Sequence, residues 1–202
     1  MILYGTGDFL LKVYQTALAA GHSPKACFIE PLEPSPPLPI PRFETYDPGF
    51  LAGEAVFPAF LDNTFRRNLS RRIQHPLARP IIHPTARVHP SVCIGDGTFI
   101  GPFVSIQEGT RIASLVIIEE GTLIGPGVFI AEGTYIGPSC QIAAHTSIQA
   151  YTYIGTGAIL QSASQSVSLC IGEGTLIGPG IRVFSSRPAF SWITAEKFWP
   201  AG

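Results

Sequence analysis

An aliphatic residue recurs every six positions from Ile82 to Leu160, fourteen times without a slip, and this leaves the fold little freedom. The series runs Ile82, Val88, Ile94, Ile100, Ile106, Ile112 and onward through Ile148 and Ile154. It loses one residue after Leu160 and resumes at Ile171, Ile177 and Val183. Four places after each aliphatic stands a small or β-branched residue, among them Ala86, Val92, Thr98, Val104, Thr110 and Cys140. Helices repeat at 3.6 residues and strands at 2, so neither gives a period of six. A parallel β-helix does. Three hexads close one triangular coil, with the aliphatic inside and the small residue beside it. Glycines such as Gly125 and Gly127 fall at the corners, where the chain must turn tightly. The recurrent threonines point inward, which excludes an outward threonine array of the ice-binding kind.

Composition removes several classes of function. The formal charge is −1, so no basic stripe can neutralise a run of phosphates, and nucleic acid is excluded as a partner. No apolar run reaches membrane-spanning length, and Met1-Ile-Leu-Tyr reads as a buried strand rather than the start of a leader. The expectation is a cytoplasmic protein. Cys27, Cys93, Cys140 and Cys170 have no metal-ligand spacing and read as reduced, packed thiols, so no metal is expected. A zinc site of three histidines is discounted because only His145 lies in the middle coils.

Before the repeat the chain reads as a small α/β unit. Residues 2–4 form a strand, Gly5-Thr6-Gly7-Asp8 a turn, and Asp8 to Ala20 a helix with Phe9, Leu10, Val13, Tyr14 and Ala17 on one face. Gly21 ends it, and Ala26–Glu30 is a second strand. This is the opening of a Rossmann-like sheet, whose turn and helix N-terminus can hold a phosphate. Six prolines between residues 31 and 41 predict a stiff loop. Ala55–Phe60 predicts another strand, with Asp62 and Asn63 at its C-terminal end, where open sheets place ligand groups. A helix over 64–74 follows, its stripe of Phe65, Leu69 and Ile73 flanked by Arg66, Arg67, Arg71 and Arg72. Those arginines read as a solvated face or as phosphate ligands. His75–Pro80 reads as a hinge. Three parts result: 1–78 for substrate binding, 79–184 for the β-helix, and 185–202 as a tail with a short helix near 194–198 that caps the open end.

The repeat resembles that of the left-handed β-helix acyltransferases, and the hand is taken from that resemblance. The N-terminal half narrows it. Gly5-Thr6-Gly7-Asp8-Phe9-Leu10-Leu11-Lys12 through Gly21 is similar to the turn and first helix of the NeuD/PglD-like sugar acyltransferases. Phe60-Leu61-Asp62-Asn63-Thr64-Phe65-Arg66-Arg67 resembles their Gly-Asp-Asn segment and Arg-bearing helix, and Ile82-His83-Pro84-Thr85-Ala86 the start of their β-helix. The resemblance implies an α/β Rossmann-like domain followed by a left-handed parallel β-helix of about six coils. It also implies a homotrimer, a nucleotide-linked sugar bound by the small domain, and acetyl-CoA bound along the β-helix. The residues expected to bind the sugar nucleotide are Gly5, Thr6, Gly7, Asp8, Asp62 and Asn63.

Acetyl transfer to an amine or hydroxyl needs a base and donors for the oxyanion. The family uses a His followed by an acidic residue, and the aligned positions here are Glu132 and Gly133. The Gly-Gly-His turn is replaced by Gly7-Asp8-Phe9, and the CoA-bordering ending by residues 185–190. Glu132 and His145 are therefore the candidate bases, and a reaction that relies on proximity alone is the remaining mechanism. Ala150, stacked above Glu132, is expected to offer a backbone N–H to the thioester carbonyl, and Gln141 a polar contact to the cofactor. A binding or scaffold protein that has lost its catalytic pair is the competing reading.

Overall fold

Ile82 and the aliphatics that follow it line the inside of a three-sided parallel β-helix. The computed structural model describes residues 1–30, 34–35, 37–47, 49, 53–163 and 167–194. Each hexad contributes a two-residue strand. Sheet I stacks seven of them, from Ile81–Ile82 to Trp192–Ile193; sheet II has six, from Arg87–Val88 to Arg182–Val183; sheet III has five, from Cys93–Ile94 to Cys170–Ile171. All pairings are parallel and one coil apart, as Ile118 with Ile136 and Ile124 with Ile142. Ile100, Ile118, Ile130, Ile136, Ile148 and Ile154 are fully buried in one continuous core. Each such side chain contributes about 1.5–3 kcal/mol on leaving water.

The small residues sit inside as expected, and the threonines among them hold successive coils together. Thr98 Oγ1 donates to Ala113 O (3.0 Å), Thr110 to Gly125 O (3.0 Å) and Thr122 to Gly137 O (2.9 Å). Cys140 fills the same slot, with Sγ 3.2 Å from Gly155 O, and burial pushes its thiol up to about 11. Cys27 is buried as well, but Cys93 and Cys170 face outward from sheet III, so the four thiols are not uniformly packed.

The N-terminal unit is a four-stranded parallel sheet of order β3-β2-β1-β4. Its elements are β1 (Ile2–Gly5), α1 (Gly7–Ala19), β2 (Ala26–Ile29), β3 (Arg42–Phe43), β4 (Val56–Ala59) and α2 (Asn63–Arg72). β3 falls just after the proline run and pairs Cys27 with Arg42. Pro31–Glu33 and Pro36 of that run lie outside the described residues. The apolar face of α1 packs on the outside of sheet I. Phe9, Leu10 and Val13 share a core with Ile81, Phe99 and Ile117, and the Phe9 and Phe99 rings lie 5.4 Å apart. The outward residues of this sheet are apolar in every lower coil, whereas sheet II carries Arg87 and Ser105 at the matching positions. That difference selects the face the small domain covers.

Three expectations from the sequence are corrected. The repeat does not lose a residue after Leu160. Ser147 pairs with Cys170, 23 residues on, where Phe129 pairs with Ser147, 18 on, so five residues are inserted at one corner. The described part of the tail, residues 185–194, does not fold over the end of the helix. Arg187 bridges Ile171 and Trp192 pairs with Leu176, extending the stack, while Phe184, Phe190 and Trp192 stay 50%, 71% and 80% exposed. The helix expected near 194–198, with Phe198 and Trp199, lies outside the described residues. Finally, Arg66 is neither solvated nor at a ligand: it is fully buried between the two domains.

Candidate functional site

The C-terminal ends of β1 and β4 open into a cavity of about 690 Å³ between the N-termini of α1 and α2. Thr6, Asp8, Phe60, Asp62, Phe65 and Asn68 are among its walls. The local sequence builds it in two steps. Gly7 takes a positive φ of 61°, which turns the chain from β1 into α1 and leaves Thr6 and Asp8 at the rim. Asp62 accepts a hydrogen bond from Phe65 N–H and so caps α2, which fixes Phe65 and Asn68 over the opening. Of the residues named from sequence, Thr6, Asp8 and Asp62 line this cavity. Gly5 is buried behind it, where a Cβ would fall 2.4 Å from Ala59 O. Gly7 N–H donates to Ser35 Oγ at 2.9 Å.

Asn63 has a different place. Its Nδ2 donates to Tyr151 O (3.3 Å) and Thr152 O (3.0 Å), and its Oδ1 accepts from Arg66 Nη2 (2.8 Å). Arg66 completes a clamp across the domains. It donates to Phe60 O (2.7 Å) and Leu61 O (2.8 Å) on its own side, and to Leu115 O (3.3 Å) and Gly133 O (2.9 Å) on the β-helix. Burial pulls its guanidinium down to about 9, which leaves it charged at neutral pH. A second tie joins Lys12 of α1 to Glu119 and Glu120. Burial raises the Glu119 carboxyl, whereas Glu120, more exposed, is held below the usual range by Lys12 and other hydrogen bonds that outweigh its own burial.

The clamp seats α2 on the edge where sheet III turns into sheet I, and this edge carries Glu132 and Ala150. Tyr151 N–H donates to Glu132 O (2.9 Å) and Gly174 N–H to Ala150 O (2.9 Å), so Glu132, Ala150 and Glu173 stand above one another. Ala150 leaves a notch between two carboxylates. Its N–H makes no hydrogen bond among the described residues. Glu132 is exposed. Next to it, Tyr151 carries the guanidinium of Arg67 4.6 Å from its ring centroid. Burial raises the Tyr151 phenol, and the Glu132 carboxylate raises it further.

His145 lies on the other edge of sheet III, where sheet II turns into it. Its φ is 56°, it is exposed, and its ring covers Gly127 one coil below. The five-residue insertion falls at this corner one coil above, since Ala143 bonds Leu160 and Ser147 bonds Leu169. Gln141 faces outward from sheet II in a shallow groove of about 280 Å³. One chain therefore places Glu132 and Ala150 together, beside α2, and His145 and Gln141 together, away from it. Sequence reading misses Asn68 and places Phe65 only in the core stripe of α2; it names Arg67 among the possible phosphate ligands but does not join it to Tyr151. The available signal was the i, i+3 spacing of Asp62, Phe65 and Asn68 along α2.

No protein-family model matches the sequence, and no curated protein matches it. Solved structures do. The perosamine N-acetyltransferase PerB from Caulobacter crescentus, in complex with CoA and GDP-perosamine, superposes with a TM-score of 0.85 at 24% identity, over 95% of this chain and 91% of that one. The acetyltransferase domain of PglB from Neisseria gonorrhoeae, in complex with acetyl coenzyme A, gives 0.77 at 20% identity over 93% and 92%. WeeI from Acinetobacter baumannii gives 0.76 at 19% over 96% and 97%. The likeness spans both domains and establishes the fold: a left-handed β-helix carrying a small parallel α/β domain on one face.

Proposed function

We propose that the chain is an acetyl-CoA-dependent acetyltransferase acting on a nucleotide-linked sugar. One observation carries this reading. A nucleoside-sized cavity in the small domain stands beside a β-helix edge that offers a carboxylate and a free N–H, Glu132 and Ala150. The small domain is read as a reduced Rossmann-like unit spanning residues 1–78, and its cavity receives the nucleotide. PerB, of the same fold, holds CoA and GDP-perosamine together, which supports two substrates for this architecture. No resident metal is needed, and no cluster of metal-ligating side chains is present among the described residues.

In this mechanism Glu132 takes the proton from the attacking sugar amine or hydroxyl. Ala150 N–H stabilises the negative charge that develops on the thioester oxygen. As the tetrahedral adduct collapses the C–S bond breaks, and the proton held by Glu132 passes to the sulfur, so that CoA leaves as the thiol. No acyl-enzyme forms, and the chain contributes mainly by holding the two substrates in line. A homotrimer completes the cofactor groove. Leu123 and Phe129 are 49% and 41% exposed and flank the glycine-rich edge below His145, an apolar ridge suited to a second copy. That packing would bring His145 and Gln141 of one subunit toward Glu132 of another.

Calorimetric titration with coenzyme A and with nucleoside diphosphates tests the reading. Both are expected to bind, with dissociation constants in the micromolar range. Binding of a nucleotide without coenzyme A would convert the reading into that of a scaffold protein. Light scattering should give about three times the 21.6 kDa chain mass, and a clean monomer would remove the shared groove.

A further inference from the structure

Two features of the cavity are unlike a phosphate site. Among the described residues its walls hold Asp8 and Asp62 and no lysine or arginine. The Gly5–Gly7 turn is also engaged: Ser35 Oγ accepts the Gly7 N–H at 2.9 Å and lies 3.4 Å from Thr6 Oγ1. A diphosphate at the start of α1 would meet an occupied donor and the Asp8 carboxylate. Its attraction to the helix dipole would be offset there by like charge.

Cations stand nearby on α2, and they are unused. Among the described residues Arg67 Nε is buried with no hydrogen-bond partner, and its guanidinium lies 4.6 Å from the centroid of the Tyr151 ring. Neither Arg67 nor Arg71 makes an ion pair among the described residues. Like charges at i and i+4 cost a helix a few tenths of a kcal/mol, so the pair is maintained against a small penalty. Arg67 follows Thr64 by three residues and Arg71 follows Asn68 by three, and Thr64 and Asn68 line the cavity. Residues so spaced are neighbours on a helix, about 5–6 Å apart at Cβ.

We propose, on the functional reading above, that the cavity takes the uncharged nucleoside end of the substrate and that Arg67 and Arg71 take its diphosphate. Base, diphosphate and sugar then run in order along α2, and the sugar arrives at Glu132 and Ala150. The phosphate reader is a pair of side chains on the second helix rather than the glycine turn before the first. Arg67 is held by stacking on Tyr151, so its planar donors are oriented before the ligand arrives.

Coenzyme A also carries a diphosphate, so the test includes it. GDP, UDP, guanosine, uridine and coenzyme A are titrated by calorimetry into the unaltered protein, R67A, R67K and S35A. R67A should weaken whichever nucleoside diphosphate binds by about tenfold or more, with R67K between, since a charged hydrogen bond contributes about 1.5–3 kcal/mol. The matching nucleoside and coenzyme A should change less than twofold, and S35A should leave the diphosphates unchanged. In the unaltered protein, salt should weaken the diphosphate and not the nucleoside, which reads the same point if R67A fails to fold. An unchanged diphosphate affinity in R67A, or tighter diphosphate binding in S35A, overturns the proposal alone. A loss confined to coenzyme A overturns it and gives the arginines to the cofactor. A protein that binds none of the nucleosides or diphosphates overturns both this proposal and the nucleotide part of the functional reading.

Discussion

The ring of Tyr151 lies directly on Gly133, one coil below, so that a Cβ on Gly133 would fall 2.5 Å from Cδ1 and Cε1 of the ring. Leu115 covers Gly97 and Phe190 covers Gly174 in the same way, and the edge alternates glycine with a large residue held at positive φ. Tyr151 meets the small domain through Arg67 on its ring and Asn63 on its carbonyl, and Leu115 and Gly133 meet it through Arg66 on theirs.

Gly133→Ala should therefore act on the site and on stability together. Gly133 has φ 67°, where an L residue costs about 1–2 kcal/mol, and its carbonyl also accepts from Arg66. A loss of about 2–4 kcal/mol in denaturant unfolding is expected, with weakened nucleotide binding in the folded fraction. Gly157→Ala is the control, since nothing lies within 4 Å of a Cβ there despite a φ of 68°. It should cost only the backbone part.

Replacing Arg66 should separate the domains. Arg66→Met removes five hydrogen bonds and leaves buried carbonyls on both sides without a donor. About 3–5 kcal/mol should be lost, because each orphaned buried acceptor costs about 1–3 kcal/mol and some regain water. Calorimetry should then show two transitions, the small domain melting first. A single unshifted transition would contradict the clamp.

Much of this was legible in the sequence, and the limits have physical reasons. The hexads specify the core because inward positions repeat whatever stands outside. The N-terminal elements follow from their own apolar faces, so the ends of β1, α1, β2, β4 and α2 fall within one or two residues of expectation. Arg66 misled because a charged residue on a helix is normally solvated; only the opposing carbonyls of Leu115 and Gly133, distant in sequence, show that it is buried. The insertion after Leu160 misled because Ile171 fits a shifted hexad as well as a delayed one. Glu132 and Ala150 could be stacked from the eighteen-residue coil alone, but their neighbour Arg67 could not, since it comes from another domain.

Lys12 gives a prediction with a defined pH sign. Glu119 is 4% exposed, and burial raises its pKa above the ordinary carboxylate value despite Lys12. A raised carboxyl makes the folded state bind more protons, so its contribution to stability falls as pH rises through that window. Lys12→Met removes the compensating charge. The deficit should be smaller at pH 5, where more of Glu119 is protonated and only Glu120 needs Lys12, and should grow to about 2 kcal/mol by pH 8, with solvent at Lys12 limiting the effect. A deficit that is equal at both pH values would contradict the buried pair.

Glu132→Gln should lower turnover by about 10²–10³-fold with little change in KM, because it removes a proton acceptor and leaves binding intact. His145→Ala should lower turnover by less than tenfold if, in the proposed trimer, the neighbouring edge contributes contacts only. A larger loss from His145→Ala than from Glu132→Gln would move the base to the other edge of sheet III.

Acetyl transfer itself is the most direct test. The protein is mixed with acetyl-CoA and a GDP- or UDP-linked amino sugar, released thiol is followed, and the product is weighed by mass spectrometry. The expected result is stoichiometric thiol release that depends on the sugar nucleotide, with a product heavier by one acetyl group. Coenzyme A and nucleotide that both bind while no acetyl group moves to any amine or hydroxyl of the sugar would contradict the transferase and leave a binding protein on a transferase fold.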